Sequence, residues 1–305
     1  MLAPLIGVLV IISGLLIVRS RRAALRLRDE VARRVHLDRN GIVSGAGEID
    51  LVHGGSRRGV LLLHGGGDTP QTLRYLAEYL YARGYNVRAP LLPGHGRSLR
   101  EFAQVDAEQW LDAARTAHRE LMLRNSWVAV AGLSMGGAIA VRLAAETEAI
   151  PALGLLAPYL TMPPRISLPA RLARLWGFAA PYVRALDPAG PRSIRDPAES
   201  ERSLAYGVFT PAALRALYVT VRRAWAALPD VSAPTLVIQS REDNRIAPAD
   251  AQRAFDRLGA REKELVWTTG SGHVITVDYG KDRVFELLAD WLERHGLTEK
   301  QDRPA

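Results

Sequence analysis

One stretch narrows the possible folds more than any other: VAVAGLSMGGAIAV, residues 128–141. Val128 to Ala131 form a small apolar run, Gly132-Leu133-Ser134-Met135-Gly136-Gly137 follows, and a second apolar run begins at once. An apolar run without polar alternation suits a strand covered on both faces, as in the middle of a parallel sheet. The glycines let that strand and the following helix approach closely around one hydroxyl. Residues 127–132 therefore read as a central strand and 135–146 as a helix, with Ser134 presented at the carboxyl edge of the sheet.

The surrounding chain repeats this alternation. EIDLVH (48–53), GVLLLHG (59–65), YNVRAPLL (85–92) and PALGLLAP (151–158) read as strands, separated by helical patterns over 70–84 and 106–123. After residue 209 the rhythm resumes, with helices over 210–228, 248–259 and 281–296 and strands over 233–240 and 263–269. Strands alternating with helices predict an α/β fold, a mostly parallel central sheet with helices on both faces. Residues 159–209 are rich in Pro and Arg and break the pattern. They read as a small cap or lid inserted into a core made of 47–158 and 210–296, with 297–305 as a polar tail.

Composition matters mainly at the amino terminus. The net charge of +8 suggests nucleic acid until it is located: residues 19–34 hold seven Arg against Asp29 and Glu30, a net of +5, which leaves +3 elsewhere. No basic face remains for nucleic acid. Leu2 to Val18 carry no charge and span about 25 Å as a helix at ~1.5 Å per residue, against a hydrocarbon core of ~30 Å. No basic residue precedes the run and RSRR follows it, so residues 1–20 read as an uncleaved single-pass transmembrane anchor. An apolar helix docked on another subunit is the alternative. The Arg cluster on the C-terminal side would place the main domain at the cytoplasmic face, with 21–46 as a basic juxtamembrane linker on anionic lipid. Cysteine is absent, which excludes disulfides and Cys-based metal or redox sites. The sequence sets no oligomeric state.

Gly132-Leu133-Ser134-Met135-Gly136 matches G-x-S-x-G between a strand and a helix, the context of a nucleophile elbow. A serine hydroxyl needs a base to take its proton. In this architecture the chain order is Ser, acid, His, which leaves His273 and His295 as bases. His273 lies in the polar loop TTGSGHVITVD after the last strand; His295 lies near the end of the last helix, where a dipole role suffices. Asp243, just past the strand 235–239, is the acid that would orient the imidazole, with Glu242 second and Asp278 placed after the histidine. The N–H groups of Met135 and of Gly66, in HGGGDTP, are the oxyanion donors. His64 and His95 read as loop braces. No metal cluster or phosphate loop is present, so no cofactor is implied; GGG at 65–67 lacks nucleotide-loop spacing. In the insertion, Leu172, Leu175, Trp176 and Phe178 either contact an acyl chain or pack on the core.

LLLHGGGDTPQTLRYLAEYLYARGYNVRAPLLPGHGRS, GLSMGG, APTLVIQSREDNRIAP and GSGHVITVD together resemble bacterial carboxylesterases and monoacylglycerol lipases of the α/β-hydrolase superfamily, in its serine aminopeptidase-like branch. The resemblance covers roughly residues 48–296. It implies an α/β-hydrolase fold, a Ser134–His273–Asp243 triad, oxyanion donors at Gly66 and Met135, a cap, and a small-molecule or lipid ester as substrate. Gly66 stands where many relatives carry an apolar side chain. Ser rather than Asp at the elbow disfavours haloalkane dehalogenase or epoxide hydrolase chemistry. Acyl transfer, thioester cleavage and removal of N-terminal amino acids use the same first half-reaction. A non-catalytic membrane interaction protein on the same scaffold is the reading from another class.

Overall fold

The computed structural model describes residues 2–148, 150–184 and 193–296. In chain order its elements are α1 (Leu2–Arg34), β1 (Ile49–Leu51), β2 (Arg58–Leu63), α2 (Arg74–Ala82), β3 (Asn86–Ala89), α3 (Leu99–Phe102), α4 (Ala107–Met122), β4 (Trp127–Leu133), α5 (Met135–Glu146) and β5 (Leu153–Leu156). There follow α6 (Pro164–Arg171), α7 (Ala173–Trp176), β6 (Val183–Arg184), α8 (Pro197–Arg202), β7 (Val208–Phe209), α9 (Pro211–Ala227), β8 (Thr235–Ser240), α10 (Pro248–Arg257), β9 (Lys263–Thr268) and α11 (Lys281–Arg294).

A 7-stranded sheet has the order β1-β3-β2-β4-β5-β8-β9. Only β1 runs antiparallel, pairing with β3; the other neighbours are parallel. The two-residue period of a strand sorts its side chains into two cores. Leu61, Leu63, Val128, Val130, Leu153 and Leu155 point to one face, which α4, α5 and α9 cover with Trp110, Ile139, Leu143 and Val221. Val60, Leu62, Ala129, Ala131, Leu236 and Ile238 point to the other, covered by α2 and α11 with Leu76, Leu80, Phe285 and Leu288. Both faces are dry, which explains why β2, β4 and β8 read as unbroken apolar runs.

Local chemistry sets the helix starts. Asp106 accepts from the N–H groups of Glu108 and Gln109 while the Gln109 side chain bonds back, a complete capping box ahead of α4. Thr210 caps α9, with Pro211 in its first turn. Between β5 and α9 the alternation gives way to three short helices and the β6–β7 ribbon. The polar tail 297–305 and residues 185–192 of the insertion lie outside the described residues.

The amino terminus corrects the sequence reading. Among the described residues no helix is long and apolar enough to cross a membrane, which overturns the single-pass anchor over residues 1–20 and the cytoplasmic placement argued from it. The apolar stretch ends at Val18, and the same unbroken helix runs on through Arg19, Arg21, Arg22, Arg26 and Arg28 to Arg34. Its second half also does not spread an apolar face on lipid. Ala24 and Val31 are buried, and Leu27 and Val35 pack with Val31 into the main core. These positions fall on one helical stripe, and the protein itself covers it.

Candidate active site

The elbow is built from close backbone approach. A side chain at Gly132 would run into the Gly136 carbonyl, one at Gly136 into the Leu63 carbonyl, and one at Gly137 into Pro158. With those positions bare, β2, β4 and the start of α5 meet without a gap. Ser134 sits between them at φ 54° and ψ −116°, a strained conformation for a residue with a Cβ. The surroundings hold it there: its N–H donates to Leu156 O at 3.0 Å, and its carbonyl accepts from Gly137 N and Tyr159 N, each at 3.0 Å. Ala157, beside it on the neighbouring chain segment, also has positive φ, 41°.

β4, β8 and β9 are parallel, so the loops that leave them reach the same edge of the sheet. The structure brings Ser134, His273 and Asp243 together there. The Ser134 Oγ lies 2.7 Å from His273 Nε2, and His273 Nδ1 lies 2.8 Å from Asp243 Oδ2. The Asp243 carboxyl is fully buried. Its Oδ2 also accepts from Gln239 Nε2 at 2.7 Å, and its Oδ1 from Arg245 N at 2.7 Å and Ile246 N at 3.0 Å. Burial pushes this carboxyl up, but the His273 charge, the His273 hydrogen bond and the two N–H donors outweigh it, and the net shift is downward. An ionised Asp243 can only accept, so His273 carries its proton on Nδ1. Its Nε2 then accepts from the Ser134 hydroxyl.

The alternatives weighed on sequence are engaged elsewhere. Glu242 is half exposed and pairs with Arg195 at 2.9 Å. His295 bonds Trp291 O through Nδ1 at 2.8 Å and meets Glu262 at 3.0 Å. Asp278 is buried and accepts from backbone N–H groups. His64 braces the loop: Leu92 N donates to its Nε2 at 3.1 Å, and its Nδ1 bonds Gly65 O at 2.9 Å. Burial, with His95 5.0 Å away ring to ring, keeps its pKa well below the usual imidazole range.

Gly66 packs over the start of α5; a Cβ built on it would lie 3.2 Å from Met135 Sδ. Neither the Gly66 nor the Met135 N–H has a hydrogen-bond partner among the described residues. Both residues line a cavity of about 160 Å³ that opens onto Ser134 and His273. Its apolar wall comes from Ile166, Ile194, Val208, Phe209, Leu214, Leu217 and Val274, and its polar lining includes Asp68, Arg165, Asn244 and Arg245. The four insertion residues singled out on sequence do not line it: Leu172, Leu175 and Phe178 are exposed, and the Trp176 indole donates to Pro169 O at 2.8 Å. The wall residues carry no sequence signal of their own, because they come from separate short segments with no shared period.

Residues 54–279 match the family described as Serine aminopeptidase, S33. The chain is 31% identical over 237 residues to a thermostable monoacylglycerol lipase of Bacillus sp. (strain H-257), covering 78% of this chain and 91% of that one. It is 27% identical to a carboxylesterase of Bacillus subtilis (strain 168), over 79% of this chain and 94% of the relative. Among solved structures, one from work on the metagenome-derived lipolytic enzymes LipS and LipT aligns with a TM-score of 0.75 and 31% identity, over 83% of this chain and all of that one. The structure of a Paleococcus ferrophilus monoacylglycerol lipase aligns with a TM-score of 0.70 at 22% identity, over 82% of this chain and 98% of that one, a likeness of fold. The chain belongs to the serine aminopeptidase S33 family of α/β-hydrolases. It is an enzyme of the carboxylic ester hydrolase class, of the serine-hydrolase type.

Proposed function

We propose that the protein hydrolyses carboxylic esters with an apolar acyl or alkyl part through an acyl-enzyme on Ser134, with His273 as base and Asp243 as its orienting partner. The observation that carries this reading is the unbroken hydrogen-bonded chain from Ser134 Oγ through His273 to Asp243, 2.7 and 2.8 Å, at a strained elbow.

The steps follow from the proton positions. Ser134 Oγ attacks the ester carbonyl carbon as its proton passes to His273 Nε2. Asp243 stabilises the imidazolium through Nδ1–H. The carbonyl oxygen becomes an oxyanion, to which the unpartnered N–H groups of Gly66 and Met135 donate at the positive end of α5. Collapse breaks the C–O bond, and the leaving alkoxide takes the proton from Nε2 as alcohol. Water then repeats the sequence on the acyl-Ser134 ester, with Nε2 again as base, and releases the acid and the free serine.

The substrate class rests on the wall of the cavity and on the relatives. Phe209, Leu214 and Leu217 offer apolar contact beside the nucleophile, and the relatives above are named for monoacylglycerol and carboxylic ester cleavage. Residues 159–209 act as a cap in this reading, since Ile166, Ile194 and Val208 belong to them. The test is a series of p-nitrophenyl esters from acetate to palmitate, with 1-monoacylglycerols and aminoacyl amides alongside. Turnover of esters with a preference for chains longer than acetyl is expected. Cleavage of the amides with no turnover of any ester would overturn the reading.

A further inference from the structure

The loop that carries His273 is gripped by a second buried carboxylate. Asp278 is fully buried. Its Oδ2 accepts from Gly272 N at 2.7 Å and Arg195 N at 2.9 Å, and its Oδ1 from Asp196 N at 2.9 Å and Tyr279 N at 3.0 Å. Gly272 immediately precedes His273. Arg195 and Asp196 belong to the segment that returns from the insertion, about eighty positions away in sequence. One carboxylate therefore ties the base's loop to the 195–196 segment.

The same two segments meet a second time. The Ser193 carbonyl accepts from His273 N at 2.9 Å and from Val274 N at 3.1 Å. The Ser193 hydroxyl accepts from Arg245 Nε at 2.6 Å, two residues beyond Asp243. A Cβ at Gly272 would press on the Ser193 carbonyl, so the two backbones touch. Ser193 and Ile194 also line the cavity. The wall a substrate meets and the backbone of the base thus form one bonded unit.

We infer that Asp278 is a positioning residue for His273: its hydrogen bonds from Gly272, Arg195 and Asp196 hold the base's loop against the 193–196 segment so that Nε2 faces Ser134 Oγ. The inference rests on the reading of Ser134 and His273 given above. A carboxylate suits this place because both its oxygens accept and neither donates. An asparagine in the same pose turns an NH₂ group toward two backbone N–H groups, whichever way the amide is flipped. Burial leaves no water to take over, so the loop must shift to relieve the mismatch.

The test compares Asp278→Asn with wild type and Ser134→Ala in the full chain, using a short p-nitrophenyl ester and a fluorophosphonate. Asp278→Asn is expected to lower kcat and the rate of Ser134 labelling by about tenfold or more, while KM stays within about threefold. The downfield Nδ1–H resonance of His273 in the proton NMR spectrum of wild type should shift or broaden in the variant, which lost stability alone would not cause. Asp106→Ala, which removes the side-chain cap of α4 at a residue that does not line the cavity, is the stability control and should keep kcat within about twofold. If Asp278→Asn does not fold, Asp278→Glu takes its place, since an extra methylene displaces the carboxylate from all four N–H groups. A folded variant with wild-type kcat, labelling rate and resonance overturns the inference. Wild type that is not labelled at Ser134 would instead sink the reading of the nucleophile.

Discussion

The imidazole of His273 stands between two oxygens from distant parts of the chain, and its contact with Ser134 spans 139 sequence positions at 2.7 Å. Asp243, at 2.8 Å on the other side, decides which nitrogen is free to accept. Replacing Asp243 with Asn offers an NH₂ group that favours the opposite tautomer, with the proton on Nε2. Asp243→Asn is therefore expected to fold and to lose kcat by about a thousandfold or more, with KM little changed. Steady-state kinetics on a short ester check this; a loss under about tenfold would contradict the assignment of Asp243.

Gly136 and Gly66 should respond differently to alanine. At Gly136 a Cβ meets the Leu63 carbonyl, a backbone atom that cannot step aside. Gly136→Ala is expected to cost about 2 kcal/mol or more, or to prevent soluble expression. At Gly66 the nearest atom is the Met135 sulfur at 3.2 Å, the far end of a flexible side chain. Gly66→Ala should lose less than about 1 kcal/mol and show its effect in KM, because the methyl enters the cavity. Urea midpoints with ester kinetics separate the two outcomes.

Buried titratable side chains make opposed contributions to the pH dependence of stability. Burial of His95 lowers its pKa to about 4. Between that value and the usual imidazole range the unfolded chain binds more protons, so this term raises stability as pH rises and is lost on acidification. Burial of Asp68 raises its pKa to about 6, partly offset by bonds from Thr69 and Thr72 and by His273. There the folded chain binds more protons from ~4 to ~6, so this term lowers stability as pH rises. Each spans about two units, or about 3 kcal/mol at most, and His64, whose pKa burial also holds low, adds to the His95 term. Wild type should therefore gain stability as pH rises from 4 to 6. Asp68→Asn should be more stable than wild type at pH 7 and lose that advantage near pH 4. His95→Gln should make that rise shallower than in wild type. Urea melts at a series of pH values check the signs; an Asp68→Asn gain that grows on acidification would contradict them.

Acyl selectivity should follow the cavity wall. Leu217→Ala and Phe209→Ala remove apolar surface beside Ser134 and are expected to weaken kcat/KM for longer esters several-fold more than for acetate. Leu175 is 70% exposed and lies off the wall, so Leu175→Ser should stay within about twofold on every ester. The reverse pattern would return the substrate contacts to α7.

The sheet was readable because its signals are local. β2, β4, β5 and β8 carry apolar runs bounded by turn residues, β3 and β9 hold shorter apolar stretches among polar residues, and the G-x-S-x-G turn marks where β4 stops. Ser134, Asp243 and His273 could be picked out because each follows a strand, and parallel strands deliver such loops to one edge. The cavity wall was not readable, since Ile166, Val208 and Leu217 meet only through the fold. Neither was the Asp278 cluster: a lone Asp after HVITV carries no hint that residues 195 and 196 supply its partners. The amino terminus misled for a related reason. Ala24, Leu27, Val31 and Val35 form a weak stripe among arginines, and only the packed structure shows that the protein covers it.

Whether Ser134 is an activated nucleophile is tested by treating the purified 305-residue chain with a fluorophosphonate and locating the adduct by peptide mass spectrometry. A single phosphonylated peptide containing Ser134 is expected, absent from Ser134→Ala and formed far more slowly in His273→Ala. A folded chain that forms no adduct, or carries it on another residue with Ser134 unmodified, would contradict it.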